Sequence, residues 1–132
     1  MNTCSIRRPL AVAAAVLALA LPHAALAASD GPAKDEIDHL LHYVAASSCV
    51  FVRNGNEYPA DKARDHLVEK YRFAGSRIGS AEDFIRYLAT KSSLSGEPYH
   101  VKCGNTDALS GAWLTAELIR YRSTPRLSHV AQ

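Results

Sequence analysis

The sequence predicts a small single-domain α+β protein, with about four helices, a β-hairpin, a third strand and one disulfide. Three observations carry this expectation. Apolar residues recur at helical spacing in four separate segments, and Asn54-Gly55 stands between two short runs of strand character. Cys49 and Cys103 fall at strand ends, where a bond can tie the hairpin to a later strand. Two strand-bearing segments separated by helices fit a small α+β domain better than a helical bundle.

The chain opens with what reads as an export signal over residues 1–27. Arg7 and Arg8 form a basic n-region, "LAVAAAVLALAL" is the apolar h-region, and Ala25 and Ala27 give an A-x-A cleavage pattern before Ala28. A run of twelve apolar residues is shorter than the ~20 a bilayer-spanning helix needs, so no membrane span is expected after cleavage. Residues 28–132 then form one exported domain of 105 residues, with a flexible tail from about 123. The leader takes two of the fifteen basic residues and none of the thirteen acidic ones, leaving thirteen of each. No basic run remains to neutralise several phosphates, so nucleic acid is excluded as a partner. Cys4 leaves with the leader, and the remaining Cys49 and Cys103 are expected to pair in an oxidising compartment. A catalytic dithiol would call for the C-x-x-C spacing, which is missing.

Along the domain, Ile37, Leu40, Leu41 and Val44 repeat at i, i+3, i+4, i+7 and define the buried face of a first helix. Acidic Asp35, Glu36 and Asp38 crowd its first turns, where they favour the helix dipole. "CVFVR", Asn54-Gly55 and "NEY" then form the hairpin, because a type I′ turn needs positive φ at both central residues. Pro59 ends the second strand and suits the first position of the next helix. That helix carries an apolar stripe of Ala60, Ala63, Leu67, Tyr71 and Ala74 and stops at Gly75. Ser80-Ala-Glu-Asp83 starts a third helix, with Phe84, Ile85 and Leu88 inward. "PYHVKC" alternates as a half-buried strand with Tyr99, Val101 and Cys103 on one face. Ser110 is expected to cap the last helix, whose inner face takes Trp113 or Leu114, with Leu118 and Tyr121. No internal repeat is apparent.

Several of these stretches, "CVFVRNGNEY", "HLVEKY", "SAEDFI", "SSLSGEPYHVKC" and "WLTAELIRYR", together resemble one bacterial exported family. It is catalogued as domain of unknown function 5329, the YfeK-like proteins, and the resemblance runs from about Ile37 to Arg122. It implies an exported protein of a Gram-negative bacterium, located in the periplasm, and brings no activity, cofactor or partner with it. His39, His42 and the segment after Arg122 fall outside the resemblance.

Four constellations hold the candidate chemistry. Ser92, Ser93 and Ser95 in "SSLSG" can bind a small anion or supply a nucleophile; the plainer reading is hydroxyls that satisfy a turn. His66 and Lys70 share a helix face, and with Arg53, Tyr58, Tyr99 and the serine loop they can make a polar pocket with His66 as base. A solvated helix face explains them equally well. His39 and His42 stand at i, i+3, two ligands where a structural metal site uses four. Arg53 beside its turn can meet an anion, or simply pair across the hairpin with Glu57.

No complete triad, metal set or cofactor motif is present. The leading expectation is therefore a non-enzymatic periplasmic module that binds an unknown envelope protein or small ligand, without a cofactor. The alternative is a small hydrolase or transferase acting on an envelope component, with Ser92 or Ser93 as nucleophile and His66 as base.

Overall fold

The computed structural model describes residues 31–125; the expected leader and the end of the expected tail lie outside the described residues. Helix α1 (Pro32–Ala46) leads into strands β1 (Val50–Arg53) and β2 (Asn56–Pro59), then helix α2 (Ala60–Ala74). A short 3-10 turn (Gly75–Arg77) precedes α3 (Ala81–Asp83), which continues without a break into a π-helical segment (Phe84–Ala89). Strands β3 (His100–Cys103) and β4 (Thr106–Leu109) and helix α4 (Ser110–Ser123) complete the order. The four strands form one antiparallel sheet in the order β2-β1-β3-β4.

The α+β class, the first hairpin and the disulfide are as the sequence predicts, and β4 is an addition. Its sequence, "TDAL", is short and largely polar, and only Ala108 turns toward the core, opposite Val101. The signal for it is the dipeptide Gly104-Asn105. Gly104 has φ 60° and Cys103 pairs with Thr106 across it, so two residues close the second hairpin. In the first hairpin Asn54 (φ 49°) and Gly55 (φ 75°) are both left-handed, as a type I′ turn requires. Two smaller expectations shift by one residue. Pro59 is the last residue of β2 and precedes α2, and Ser110 lies inside α4, buried, rather than capping it.

Helices cover one face of the sheet. Ile37, Leu40 and Val44 from α1 meet Phe51 and Val101 from the central strands and Leu114 and Leu118 from α4 in one apolar cluster. The π-helical segment contributes Phe84, Ile85, Leu88 and Ala89, all buried. Its wider turn brings residues four and five apart to the same side, and Thr90 Oγ1 donates to the Ile85 carbonyl at 2.7 Å where the segment ends. On the open face of the sheet Lys102 reaches Glu57 at 2.7 Å and His100 meets Asp107 at 2.9 Å. Glu57 therefore pairs with Lys102 and not with Arg53, which leaves Arg53 for the other face.

The hairpin–helix unit occurs twice. Strands β1 and β3 begin at Val50 and His100, β2 and β4 at Asn56 and Thr106, and α2 and α4 at Ala60 and Ser110, an offset of fifty residues throughout. Because β1 pairs with β3 with Phe51 opposite Val101, the layout is symmetric about that pair. The sequence hides this repeat because the counterpart residues differ in almost every position.

Among the described residues two carboxylates are buried between the helices, and each is answered by arginine. Glu36 receives two hydrogen bonds at 2.8 Å from Arg122, whose remaining nitrogen holds Glu82. Glu117 receives Arg120 and lies 2.6 Å from His39 Nε2, while the His39 ring stacks on Tyr121. Burial opposes ionisation of Glu117, but Arg120 and His39 outweigh it and keep the carboxyl below its ordinary range.

Candidate functional site

One end of the β1–β3 pair is closed by covalent chemistry. Extending the register one step beyond Val50 and Lys102 places Cys49 opposite Cys103, and the two are disulfide-bonded with Cα atoms 4.5 Å apart. That spacing is the narrow pair of an antiparallel ladder. Extending it the other way, beyond Val52 and His100, places Arg53 opposite Tyr99. There the molecule has a cleft.

The cleft has a volume of about 370 Å³ and is lined by Arg53, Asn54, Asn56, Tyr58, His66, Lys70, Ser92, Ser93, Leu94 and Tyr99. Alternation along β1 puts Arg53 on the same face as buried Phe51. Its guanidinium lies over the Tyr58 ring at 4.6 Å, and no hydrogen-bond acceptor among the described residues takes up its donors. His66 and Lys70, one turn apart on α2, enter from the helix layer. Lys70 Nζ donates to the carbonyls of Leu88 (2.6 Å) and Lys91 (3.3 Å) and reaches the Tyr99 hydroxyl at 3.4 Å. Its donors are thus engaged, and it offers the cleft charge more than free hydrogen bonds. The Tyr99 hydroxyl also lies 3.5 Å from His66 Nε2.

No residue in the lining carries a carboxylate, and the cations act on one another. Burial, with Arg53 and Lys70 beside it, pushes the His66 imidazole below its ordinary 6.5. Burial and Arg53 likewise lower the Lys70 ammonium. Burial raises the Tyr99 hydroxyl, and Arg53 counters it only in part, so this phenol stays a neutral donor. The cleft is cationic, edged by two tyrosines and rich in donors, an arrangement that suits an anion.

Of the residues singled out in the sequence, Arg53, Tyr58, His66, Lys70, Ser92, Ser93 and Tyr99 all line this cleft. Ser95 stands at its edge, where its hydroxyl donates to Asn54 Oδ1 at 2.7 Å and ties the serine loop to the first hairpin. The loop itself is a turn. The Lys91–Pro98 bridge closes it, Ser92 N–H donates to the Glu97 carbonyl, and Gly96 (φ 75°) donates to the Ser92 carbonyl. The buried Ser92 Oγ accepts from the amides of Leu94 and Ser95, and no hydrogen bond joins His66 to any of the three serines. The link that a serine–base pair uses is missing from this arrangement. His39 lies elsewhere, bound to Glu117, and no group of three metal-ligating side chains is present among the described residues.

Sequence reading missed the slot next to the cleft. It measures about 40 Å³, shares Arg53, Tyr58, His66 and Tyr99 with the cleft, and is walled by Phe51, Ala63 and Leu67. That volume holds a methyl-sized group or a few waters. The signal was Ala63, a small residue on the packed stripe of α2.

A family model described as a family of unknown function, DUF5329, matches residues 32–122. The uncharacterized protein YfeK of Salmonella typhimurium is 35% identical over 89 residues, covering 67% of this chain and 74% of that protein. No solved structure matches.

Proposed function

The chain belongs to the DUF5329 family of unknown function, and within that frame we propose that it is an exported, non-enzymatic binding domain of the periplasm whose cleft captures a small anion. The export signal read in residues 1–27 supports the location, as does the disulfide, since such bonds persist in oxidising compartments. No helix among the described residues is long and apolar enough to cross a membrane. One observation carries the ligand class. Arg53 is half-buried, its guanidinium lies over the Tyr58 ring, and it opens onto a cleft that Lys70 also charges. Partial burial strengthens the attraction of a guanidinium for a carboxylate or phosphate relative to water.

Binding is favoured over serine chemistry because the Ser92 hydroxyl is committed to backbone amides and His66 faces Tyr99. Titration of the protein with acetate and with inorganic phosphate, followed by backbone amide chemical shifts, tests the proposal. Saturable shifts are expected at Arg53, His66, Lys70 and the Ser92–Leu94 turn, and Arg53→Gln should remove them. Absence of saturable shifts with both anions at neutral pH would overturn it.

A further inference from the structure

A second concavity lies beside the cationic cleft. A groove of about 550 Å³ runs between the C-terminal half of α2 and the π-helical segment, and Lys70 and Ser93 line both spaces. Its floor is apolar, with buried Ile78 and Leu88. Its walls are Phe73, 84% exposed, and Tyr87, 56% exposed, two of the large apolar side chains that the fold leaves in water. Leaving such rings exposed at one groove marks an interaction site more than packing. An arginine lies over each ring, Arg77 over Phe73 at 5.7 Å and Arg86 over Tyr87 at 5.8 Å. No residue lining the groove carries a carboxylate.

We infer that cleft and groove form one extended site for a peptide that ends in a free carboxylate and carries apolar side chains just before it. The inference rests on the cleft's being an anion site. The terminal carboxylate meets Arg53 in the field of Lys70, with the His66 imidazole beside them, and the preceding side chains lie between Phe73 and Tyr87. A ligand with both features matches both halves of the site: the charge answers the cations, and the apolar residues cover exposed rings. An extended chain advances ~3.3 Å per residue, so a few residues pass from cleft to groove across Lys70. Capture of a chain end by side-chain and backbone donors is an established mode of peptide recognition.

The probes are an acetylated, leucine-rich hexapeptide with a free C-terminal carboxylate, the same peptide as its C-terminal amide, and acetate. Affinities for the oxidised protein and for its Phe73→Ser and Tyr87→Ser variants are read from amide shifts; both rings are exposed, so the fold should survive their loss. The free acid should bind about tenfold or more tightly than the amide, the difference a charged hydrogen bond makes. Each groove variant should weaken the free acid several-fold and leave acetate unchanged. If acetate binds while the groove variants leave the peptide unaffected, the anion cleft stands and the peptide site falls. Equal affinity for acid and amide would also overturn the inference. So would binding to phosphatidylglycerol vesicles that is lost in Leu94→Ser, with no peptide binding, since this would assign the exposed residues to a lipid surface. Failure of both acetate and peptide would remove the cleft reading together with the inference.

Discussion

The two ends of the central strand pair are built from the same plan and put to opposite uses. At one end Cys49 and Cys103 face each other and are bonded; at the other Arg53 and Tyr99 face each other and border a cleft. With the fifty-residue offset, Cys103 is the counterpart of Arg53 and Tyr99 that of Cys49. The helices differ in the same sense. Ala63 on α2 leaves the slot beside the cleft, whereas its counterpart Trp113 on α4 stacks on Tyr43 at 4.4 Å and meets Phe51 edge-on at 5.7 Å. Lys70 on α2 charges the cleft, whereas its counterpart Arg120 neutralises Glu117. One unit spends its side chains on closing the fold, and the other is left with cations and space. One end is fixed covalently, and the cleft at the opposite end is lined by Arg53 and Lys70 and by no carboxylate.

The sharpest way to break this comparison is to remove the bond. Cys49→Ser with Cys103→Ser releases a loop of 54 residues' separation and should lower stability by about 4 kcal/mol, measured by urea denaturation. If the double variant keeps the parent's midpoint, the disulfide is not what supports the open end. Trp113→Ala comes next, at about 3 kcal/mol, since it removes a half-buried ring with two aromatic partners. A loss below ~1 kcal/mol would mean that the closed end does not depend on that ring.

The sequence showed the elements more readily than their relation. Regular spacing of Ile37, Leu40, Leu41 and Val44 announced α1, and Asn54-Gly55 announced a hairpin, because both are local signals. β4 was missed because "TDAL" has only Ala108 to bury and depends on β3 for its existence as a strand. The repeat was missed for a related reason. Strand pairing fixes the symmetry, whereas the paired positions carry Arg53 against Cys103 and Ala63 against Trp113. In the site, polar residue types pointed to Arg53, His66, Lys70 and the serine loop. Their convergence, the slot behind Ala63 and the groove at Phe73 depend on how α2 crosses the sheet, which no local pattern encodes.

The smallest expected effect concerns protons, and it separates the two ends in function rather than stability. In the free protein His66 titrates below its ordinary 6.5, first because it is partly buried and then because Arg53 and Lys70 repel a third positive charge. The unfolded chain therefore takes up this proton first, and the empty protein should lose stability as pH falls from about 6.5 toward the depressed value. A bound anion offsets the neighbouring cations and raises the imidazole pKa. Binding then takes up a proton, so anion affinity should increase as pH falls through the interval between the bound and free pKa values. The gain should be a few-fold, and it should level off below the free value. Acetate, which stays ionised over this range, is titrated at several pH values between 7.5 and 5.5 to measure it, and His66→Gln should flatten the profile while leaving binding at pH 7.5 nearly intact. A profile that stays pH-dependent in His66→Gln would place the titrating group outside the cleft and dissolve the contrast between an end that answers its own charges and an end that waits for a ligand to do so.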